Sequence, residues 1–410
     1  MKAIGASFVY GIDKKEEIER DKYIVYDTKI KDIVSLDELN QKYPNIEYEF
    51  RQNILLMPPL SNPHLHLEFS NNSCKLQYGE FTSWLGSIIK NRATLSSGAT
   101  KEQLSKTLDR VIKSGTLNIG AISSFGADLE VLANSSANVA FFNETLGSDI
   151  TKVDESYKDA LARYEKSLLY KSERFKPSIS IHSPYSTHPE LIKKVLSRAK
   201  EDELLLSVHF LESLGELEWM DSSLGALMSF FENFFGVKRD SFIDPISFIK
   251  LFSGVKTLFI HNLYAKKEHL DLIKSQDGEV ITCPRSNRLL NSKILDIDLV
   301  KKSALTPLVA TDGLSSNISL DMFEELRYML FMYEGYEINT FAKELLCSST
   351  KEGARVLGFT NGVFKKGFRA DFLEVEVPDD FTDSLNHSLD IILHSKVKNT
   401  YIEGKKYGDD

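Results

Sequence analysis

Short apolar runs alternate with amphipathic segments through the middle of this 410-residue chain. Eight runs rich in apolar or β-branched residues predict strands at Asn53–Met57, Thr116–Ile122, Asn138–Asn143, Ser178–Ile181, Leu204–Val208, Thr257–Ile260, Glu279–Cys283 and Leu308–Thr311. Between them, apolar residues at helical spacing predict helices such as Glu102–Lys113, Asp154–Tyr170, Pro189–Ala199, Lys266–Lys274 and Asp321–Tyr333. Eight strands that alternate with helices favour a (β/α)8 TIM-like barrel, an α/β fold with a parallel sheet.

The two ends of the chain have a different pattern of predicted elements from the middle. Short strand-like runs, separated by charged turns, occur at Ala3–Tyr10, Tyr23–Asp27, Ile30–Leu36, Asp371–Val377, Leu389–His394 and Lys396–Glu403. This pattern predicts a small β-sandwich domain built from both termini. Its expected limits are residues 1–52 and 360–410, which leaves residues 53–359 for the barrel.

Composition and charge narrow the class of protein. With 42% hydrophobic and 27% charged residues, the chain is expected to fold as a soluble globular protein. Its 50 basic and 59 acidic residues give a net charge of −9, which argues against a nucleic-acid partner, because such binding depends on neutralising phosphates. We find neither a secretory signal nor an apolar run of about 18 residues, so we expect a cytoplasmic protein without a membrane partner.

Polar residues with metal-binding chemistry end several of the predicted strands. The first strand is followed by His64 and His66, the fourth by His182, the fifth by His209, the sixth by His261 and the eighth by Asp312. In a parallel barrel the carboxyl ends of the strands form one face, and active sites are built on that face. These six residues are therefore expected to converge.

The pair His64 and His66 is the first candidate for a metal site. Residues two apart on an extended strand point to the same side, so both imidazoles can reach one ion. An isolated pair of this kind also arises by chance. The pair gains weight only from the other strand-end residues.

His209 and Glu212 form the second candidate pair. A histidine that ends a buried strand is often a hydrogen-bonded core residue, but here a glutamate follows three positions later. A carboxylate close to a metal-bound water can transfer protons without binding the ion. The alternative is a solvated glutamate at a helix N-terminus, and it applies more strongly to Glu216 and Glu218.

Asp312 completes the set of candidate ligands. Before Gly313 an aspartate commonly forms a turn, but together with three strand-end histidines a ligand is favoured. Three histidines and one carboxylate suit Zn²⁺, with Fe²⁺ as an alternative, and a bound divalent ion lowers the pKa of water towards neutrality. His261 is expected to orient this water and His182 to contact a substrate.

Six short motifs resemble those of one family. PLSNPHLHLE, IHSPYSTH, VHFLES, FIHN, CPRSN and VATDGLSSN occur in the order found in the amidohydrolase superfamily, in its aminohydrolase and chlorohydrolase branch. The resemblance implies one divalent metal ion held by His64, His66, His209 and Asp312. It makes Glu212 the proton shuttle, Asp312 the group that takes a proton from the bound water, and His261 and His182 the water and substrate contacts. Binuclear relatives carry a bridging lysine where this chain has His182, so a mononuclear site is implied.

Within that branch, the NPHLHLEFS and CPRSN motifs are most similar to those of the 6-aminodeoxyfutalosine deaminases of menaquinone biosynthesis. This resemblance implies hydrolytic deamination of an aminopurine nucleoside to a futalosine-type product and ammonia. A deaminase of S-adenosylhomocysteine, methylthioadenosine or guanine is the alternative, and a non-catalytic metal-binding barrel is a more remote one. Whether the chain forms a homodimer is left open.

The CPRSN motif supplies Arg285, Ser286 and Asn287 as candidate substrate contacts. Many relatives have a small residue in place of Arg285. 6-Aminodeoxyfutalosine carries an adenine at one end and an aryl carboxylate at the other. In this chain the arginine either binds that carboxylate or pairs with a neighbouring loop carboxylate. Glu68, directly after the HLHL sequence, has no role that the sequence suggests.

Overall fold

The computed structural model describes residues 1–13, 17–70, 76–97 and 99–408. The strands are β1 Lys2–Tyr10, β2 Ile18–Tyr26, β3 Ile30–Val34, β4 Tyr48–Met57, β5 Leu60–Leu65, β6 Thr116–Ser123, β7 Asn138–Thr145, β8 Phe175–Ile181, β9 Leu206–Phe210, β10 Thr257–His261, β11 Glu279–Thr282, β12 Pro307–Val309, β13 Phe372–Glu376, β14 Lys396–Ile402 and β15 Lys405–Lys406. The helices are α1 Leu36–Lys42, α2 Phe81–Ser97, α3 Lys101–Lys113, α4 Leu129–Ala133, α5 Val153–Leu168, α6 Pro189–Glu201, α7 Leu214–Ser222, α8 Gly225–Phe235, α9 Pro245–Leu251, α10 Lys267–Ser275, α11 Pro284–Asn291, α12 Ile297–Lys302, α13 Met322–Met332, α14 Ile338–Cys347, α15 Gly353–Val356 and α16 His387–His394.

The chain divides into two compact units. One comprises Met1–Asn62, Asp109–Asn118 and Asp321–Asp410, and the other comprises Pro63–Leu108 and Ile119–Leu320. The predicted domain limits, at 52/53 and 359/360, stay a prediction.

A seven-stranded sheet draws its strands from both chain termini, as predicted. Its strand order is β15-β14-β13-β4-β1-β2-β3. Strand β1 pairs with β2 in antiparallel and with β4 in parallel orientation. Apolar side chains such as Ile4, Val9, Ile24, Leu56 and Phe372 form a buried cluster on this sheet.

The second sheet confirms the predicted (β/α)8 barrel. Strands β5 to β12 are neighbours in chain order, and parallel pairings run through them, for example β7 with β8 and β9 with β10. The backbone N–H of Asp312 donates to the carbonyl of His64 at 3.1 Å, which links the end of the last strand to the first. Gly120 lets β6 approach β5 closely, because a Cβ at this position would lie 2.1 Å from the carbonyl oxygen of Pro63.

The first barrel strand is not the predicted one. Residues Asn53–Met57 belong to β4 of the terminal sheet, and the barrel begins with β5, Leu60–Leu65. Pro58 and Pro59 separate the two strands, because proline has no N–H to donate to a sheet. The prediction failed because β5 itself contains Pro63, and a proline argues against a strand.

The predicted strand Leu389–His394 is also wrong, since these residues lie in helix α16. A short apolar run cannot distinguish a strand from a buried helix. Here Ile391 and Ile392 are buried, and Arg327 donates to the carbonyls of Ile392 and Ser395 at 2.7 and 3.0 Å. These bonds satisfy carbonyl groups at the end of the helix.

Within the described residues, no helix combines the length and the apolar character that crossing a membrane requires.

Candidate active site

Three histidines converge at the carboxyl ends of strands β5 and β9. Ring nitrogens of His64, His66 and His209 lie within 4.8 Å of one another, and all three residues are buried. Both ring nitrogens of His64 are without a hydrogen-bond partner in the described part of the chain. His209 Nδ1 is 2.7 Å from the carbonyl of His182; because a carbonyl only accepts, Nδ1 carries the proton and Nε2 is left as an electron-pair donor.

Asp312 faces this cluster from the end of the last strand. Its Oδ1 lies 3.5 Å from Nε2 of His64 and 3.5 Å from Nε2 of His66. Its Oδ2 accepts hydrogen bonds from the hydroxyls of Ser286 and Ser316, each at 2.8 Å. The serines therefore fix the carboxylate so that one oxygen is turned towards the histidines.

The turn that carries Asp312 serves the same purpose. Asp312 has a left-handed backbone with φ of 61°, which is uncommon for a residue with a side chain. The next residue is Gly313, where a Cβ would lie 2.9 Å from the Cβ of His66. Asp312 is thus a turn residue whose carboxylate also faces the histidines, and its role as a ligand stays a prediction.

The charge states of these buried side chains suit the binding of a cation. Burial lowers the pKa of His66, and the neighbouring His64 lowers it further. Burial also holds the pKa of His209 well below its usual range. Although burial opposes ionisation of Asp312, its contacts with His64 and His66 keep the pKa of this carboxyl well below the usual range. Neutral imidazoles and an ionised carboxylate are the forms that bind metal, so the residues fit a divalent ion.

Glu212 is buried beside this cluster. Its Oε1 lies 3.5 Å from Nε2 of His261. Burial raises the pKa of Glu212 well above its usual range, and the charges of Asp312 and Glu216 raise it further. A carboxyl group of this kind can hold and release a proton near neutral pH.

Glu216 supports the turn that presents Glu212. Its carboxylate oxygens accept the backbone N–H groups of Leu211 and Glu212 at 3.1 and 2.9 Å. Burial raises the pKa of Glu216 to about 8. Glu216 lies in the first turn of α7, as expected, but it is fully buried and not solvated.

His261 and His182 take up different positions around the cluster. Asn287 Oδ1 lies 2.8 Å from Nδ1 of His261 and accepts a hydrogen bond from it, and Nε2 of His261 faces Glu212. Burial lowers the pKa of His261 to about 4. His182 places Nδ1 2.6 Å from the hydroxyl of Ser186, and it lines the same cavity as His66 and His209.

The three residues of the CPRSN motif differ in where they point. Ser286 and Asn287 contact Asp312 and His261 and hold them in place. Arg285 is buried in α11 and donates from Nη2 to the carbonyl of Ser319 at 3.0 Å. Arg285 is not among the described residues that line the cavity. The structure therefore brings Arg285 to a loop backbone and not to the candidate site.

A cavity of about 480 Å³ opens over the cluster. Strand-end residues form its polar part: His66, Glu144, His182, His209, Glu212, His261 and Asp312. Helices α2 and α8 supply apolar residues, among them Trp84, Ile88, Phe230, Phe231 and Phe235. A cavity of this size accommodates a small organic molecule with one polar and one apolar end.

Glu144 and Glu68 are site residues that sequence reasoning missed. Glu144 lies at the end of β7, accepts a hydrogen bond from the hydroxyl of Ser124, and keeps Oε1 buried with no partner among the described residues. Glu68 accepts the backbone N–H groups of Ser124, Phe125 and Ala127 at 2.7 to 2.9 Å. Glu68 therefore shapes a loop of the cavity. Because Glu144 directly follows the predicted strand Asn138–Asn143, its position could have identified it as a site residue from the sequence.

A barrel with a metal-binding histidine cluster at its carboxyl face defines a class of hydrolase. Residues 55–406 match the amidohydrolase family, and the chain belongs to that family. It is 42% identical to an aminodeoxyfutalosine deaminase of Nitratiruptor sp., over 97% of this chain and 98% of that protein.

A relative and a solved structure from Helicobacter pylori are each similar over the full length. The chain is 36% identical to an adenosine deaminase of this species, with 98% of each chain covered. The crystal structure of the Helicobacter pylori aminofutalosine deaminase in complex with methylthio-coformycin has a TM-score of 0.94 to this chain at 35% identity. That match covers 99% of this chain and all of the other.

Proposed function

We propose that this protein is a metal-dependent deaminase that hydrolyses 6-aminodeoxyfutalosine to a futalosine-type product and ammonia, a step of menaquinone biosynthesis. One observation carries the proposal: a buried Glu212 lines one cavity together with Asp312 and with His66 and His209, two members of the three-histidine cluster. The similarity to an aminodeoxyfutalosine deaminase supports the choice of substrate. We assign the chemistry to the barrel formed by strands β5 to β12 and their helices.

His64, His66, His209 and Asp312 are the residues that would hold the metal, with Zn²⁺ as the first choice and Fe²⁺ as the second. Such an ion, when bound, lowers the pKa of water and supplies the attacking oxygen at neutral pH. A single ion is proposed, because four protein ligands satisfy most of one coordination shell.

Asp312 and Glu212 would divide the proton transfers. Asp312 Oδ1 faces the histidines, so it is placed to take a proton from the attacking water. Glu212 is buried and can carry a proton, so it would protonate the purine ring nitrogen next to the reacting carbon. It would then take the proton of the newly added hydroxyl and pass it to the departing amine, while the proton held by Asp312 restores Glu212. No covalent intermediate with the protein is required.

His261 and His182 would position the reacting groups and take no part in the release of the amine. Because Nδ1 donates to Asn287, His261 presents an unprotonated Nε2 towards Glu212, where it would accept a hydrogen bond from the attacking water and orient it. His182 lies on the cavity wall near Glu144, where it would contact the nucleoside.

A deaminase of methylthioadenosine or S-adenosylhomocysteine is the second candidate. The methylthio-coformycin in the similar Helicobacter pylori structure favours a nucleoside with a small apolar 5′ group. A non-catalytic barrel is disfavoured, because a protein that only binds a ligand does not need Glu212. Cytoplasmic location and homodimer formation stay predictions.

Ammonia release from a panel of purines tests the substrate. We expect kcat/KM for 6-aminodeoxyfutalosine to exceed that for adenosine, methylthioadenosine, S-adenosylhomocysteine and guanine by about tenfold or more, the free-energy equivalent of one charge-assisted hydrogen bond. Omission of enzyme and metal-stripped enzyme are the controls. A preference for any of the other four compounds would reject the futalosine assignment and retain the deaminase chemistry.

A further inference from the structure

One cationic side chain stands out on the cavity wall. Arg239 is the only lysine or arginine among the described residues that line the cavity, and it follows α8 in the segment that leads to α9. Sequence reasoning did not select Arg239, because this residue follows no strand.

Aromatic residues hold Arg239 in position. Its guanidinium lies over the ring of Phe231, 4.8 Å from the ring centre, and 6.0 Å from the ring centre of Phe235. The indole N–H of Trp219 donates to the backbone carbonyl of Arg239 at 2.6 Å. These contacts reduce the freedom that the arginine would lose on binding a ligand.

Arg239 has no ion-pair partner among the described residues. Asp149 is the one acidic residue whose charge acts on it. The Asp149 carboxylate is already engaged by the backbone N–H and the hydroxyl of Thr151 at 2.9 and 2.7 Å. The cavity therefore contains a partly buried cation that a ligand can pair with.

The wall beside Arg239 suits an aromatic group. Phe230, Phe231 and Phe235 of α8 and Trp84 of α2 all line the cavity. Flat rings pack well against such side chains, and a planar guanidinium binds a carboxylate through two parallel hydrogen bonds. An aryl carboxylate combines the two features that this wall recognises.

We propose that Arg239 binds the carboxylate of the substrate and that the aromatic side chains of α2 and α8 bind its aryl ring. This inference rests on the proposed function. The cavity then binds both ends of 6-aminodeoxyfutalosine. The adenine lies over the histidines, and the aryl carboxylate pairs with Arg239. Arg239, in place of Arg285, becomes the residue that selects this substrate over uncharged nucleosides.

The selectivity of the Arg239→Met variant tests the proposal. We expect kcat/KM for 6-aminodeoxyfutalosine to fall by about 10- to 100-fold, and the ratio of this value to kcat/KM for methylthioadenosine to fall by at least about tenfold, because only the first compound carries the carboxylate. The loss should appear mainly in KM. Turnover of methylthioadenosine also reports that the variant is folded.

Two further measurements separate charge recognition from a structural effect. Lys238→Met removes the same charge from the adjacent, exposed residue and should leave the ratio as in the wild type. The carboxamide analogue of 6-aminodeoxyfutalosine should be a poorer substrate than the acid for the wild type, and the two should be equal for Arg239→Met.

The outcomes also separate this proposal from the proposed function. If the wild type prefers 6-aminodeoxyfutalosine and Arg239→Met keeps that preference, the role of Arg239 is rejected and the function stands. If Arg239→Met loses activity equally on both compounds, Arg239 is structural. If the wild type does not turn over the carboxylated compound, both proposals fail.

Discussion

Replacement of His66 or Asp312 by alanine is expected to abolish metal binding and deamination together. Each variant removes one of the four proposed ligands, so the remaining buried polar groups would lose their ion. We expect turnover to fall by on the order of 10⁴-fold or more, because water at its unperturbed pKa is a poor nucleophile. Elemental analysis of the purified variants and ammonia release measure the two effects.

The control for these variants is His394→Ala. His394 is exposed in α16 and takes no part in the cavity, so metal content and turnover should match the wild type. A His66→Ala or Asp312→Ala protein that retained one ion per chain would show that this residue is not a ligand.

The Glu212→Gln variant is expected to keep its metal and lose turnover by about 10²- to 10⁴-fold. Glutamine preserves the size of Glu212 and much of its hydrogen bonding, but it cannot exchange a proton. Because Glu212 is close to the cluster without belonging to its ligand set, metal content should be unchanged. Parallel measurement of metal content and kcat therefore distinguishes a proton carrier from a ligand.

Glu218→Gln is the matched control, because Glu218 lies on α7 six residues from Glu212 and outside the described lining of the cavity. It should retain both metal and turnover. Turnover near the wild-type level in Glu212→Gln would assign the proton transfers to another group, of which His261 is the next candidate.

The sequence predicted the polar part of the site because that part follows one rule. His64 and His66 end one strand, His209, His261 and Asp312 end three others, and the carboxyl ends of a parallel barrel share one face. Their convergence therefore follows from the fold class alone. The rule held even though the first barrel strand was misplaced, since His64 lies in β5 and His66 directly follows it.

The apolar part of the site could not be predicted in this way. Arg239 follows α8, and its position depends on the packing of Phe231 and Trp219, which no local pattern specifies. Arg285 was a candidate because it lies in the CPRSN motif, but it lies within α11 and donates to the carbonyl of Ser319. The direction of a side chain in a loop or a short helix is a tertiary property.

Reconstitution of the metal-free protein tests the central claim most directly. The protein, stripped of metal by a chelator, is titrated with Zn²⁺ while ammonia release from 6-aminodeoxyfutalosine is followed. We expect no turnover without metal and a linear rise that ends at about one ion per chain, as four protein ligands around one ion require. Full turnover by the metal-free protein, or an endpoint at two ions per chain, would contradict a mononuclear metal-dependent deaminase.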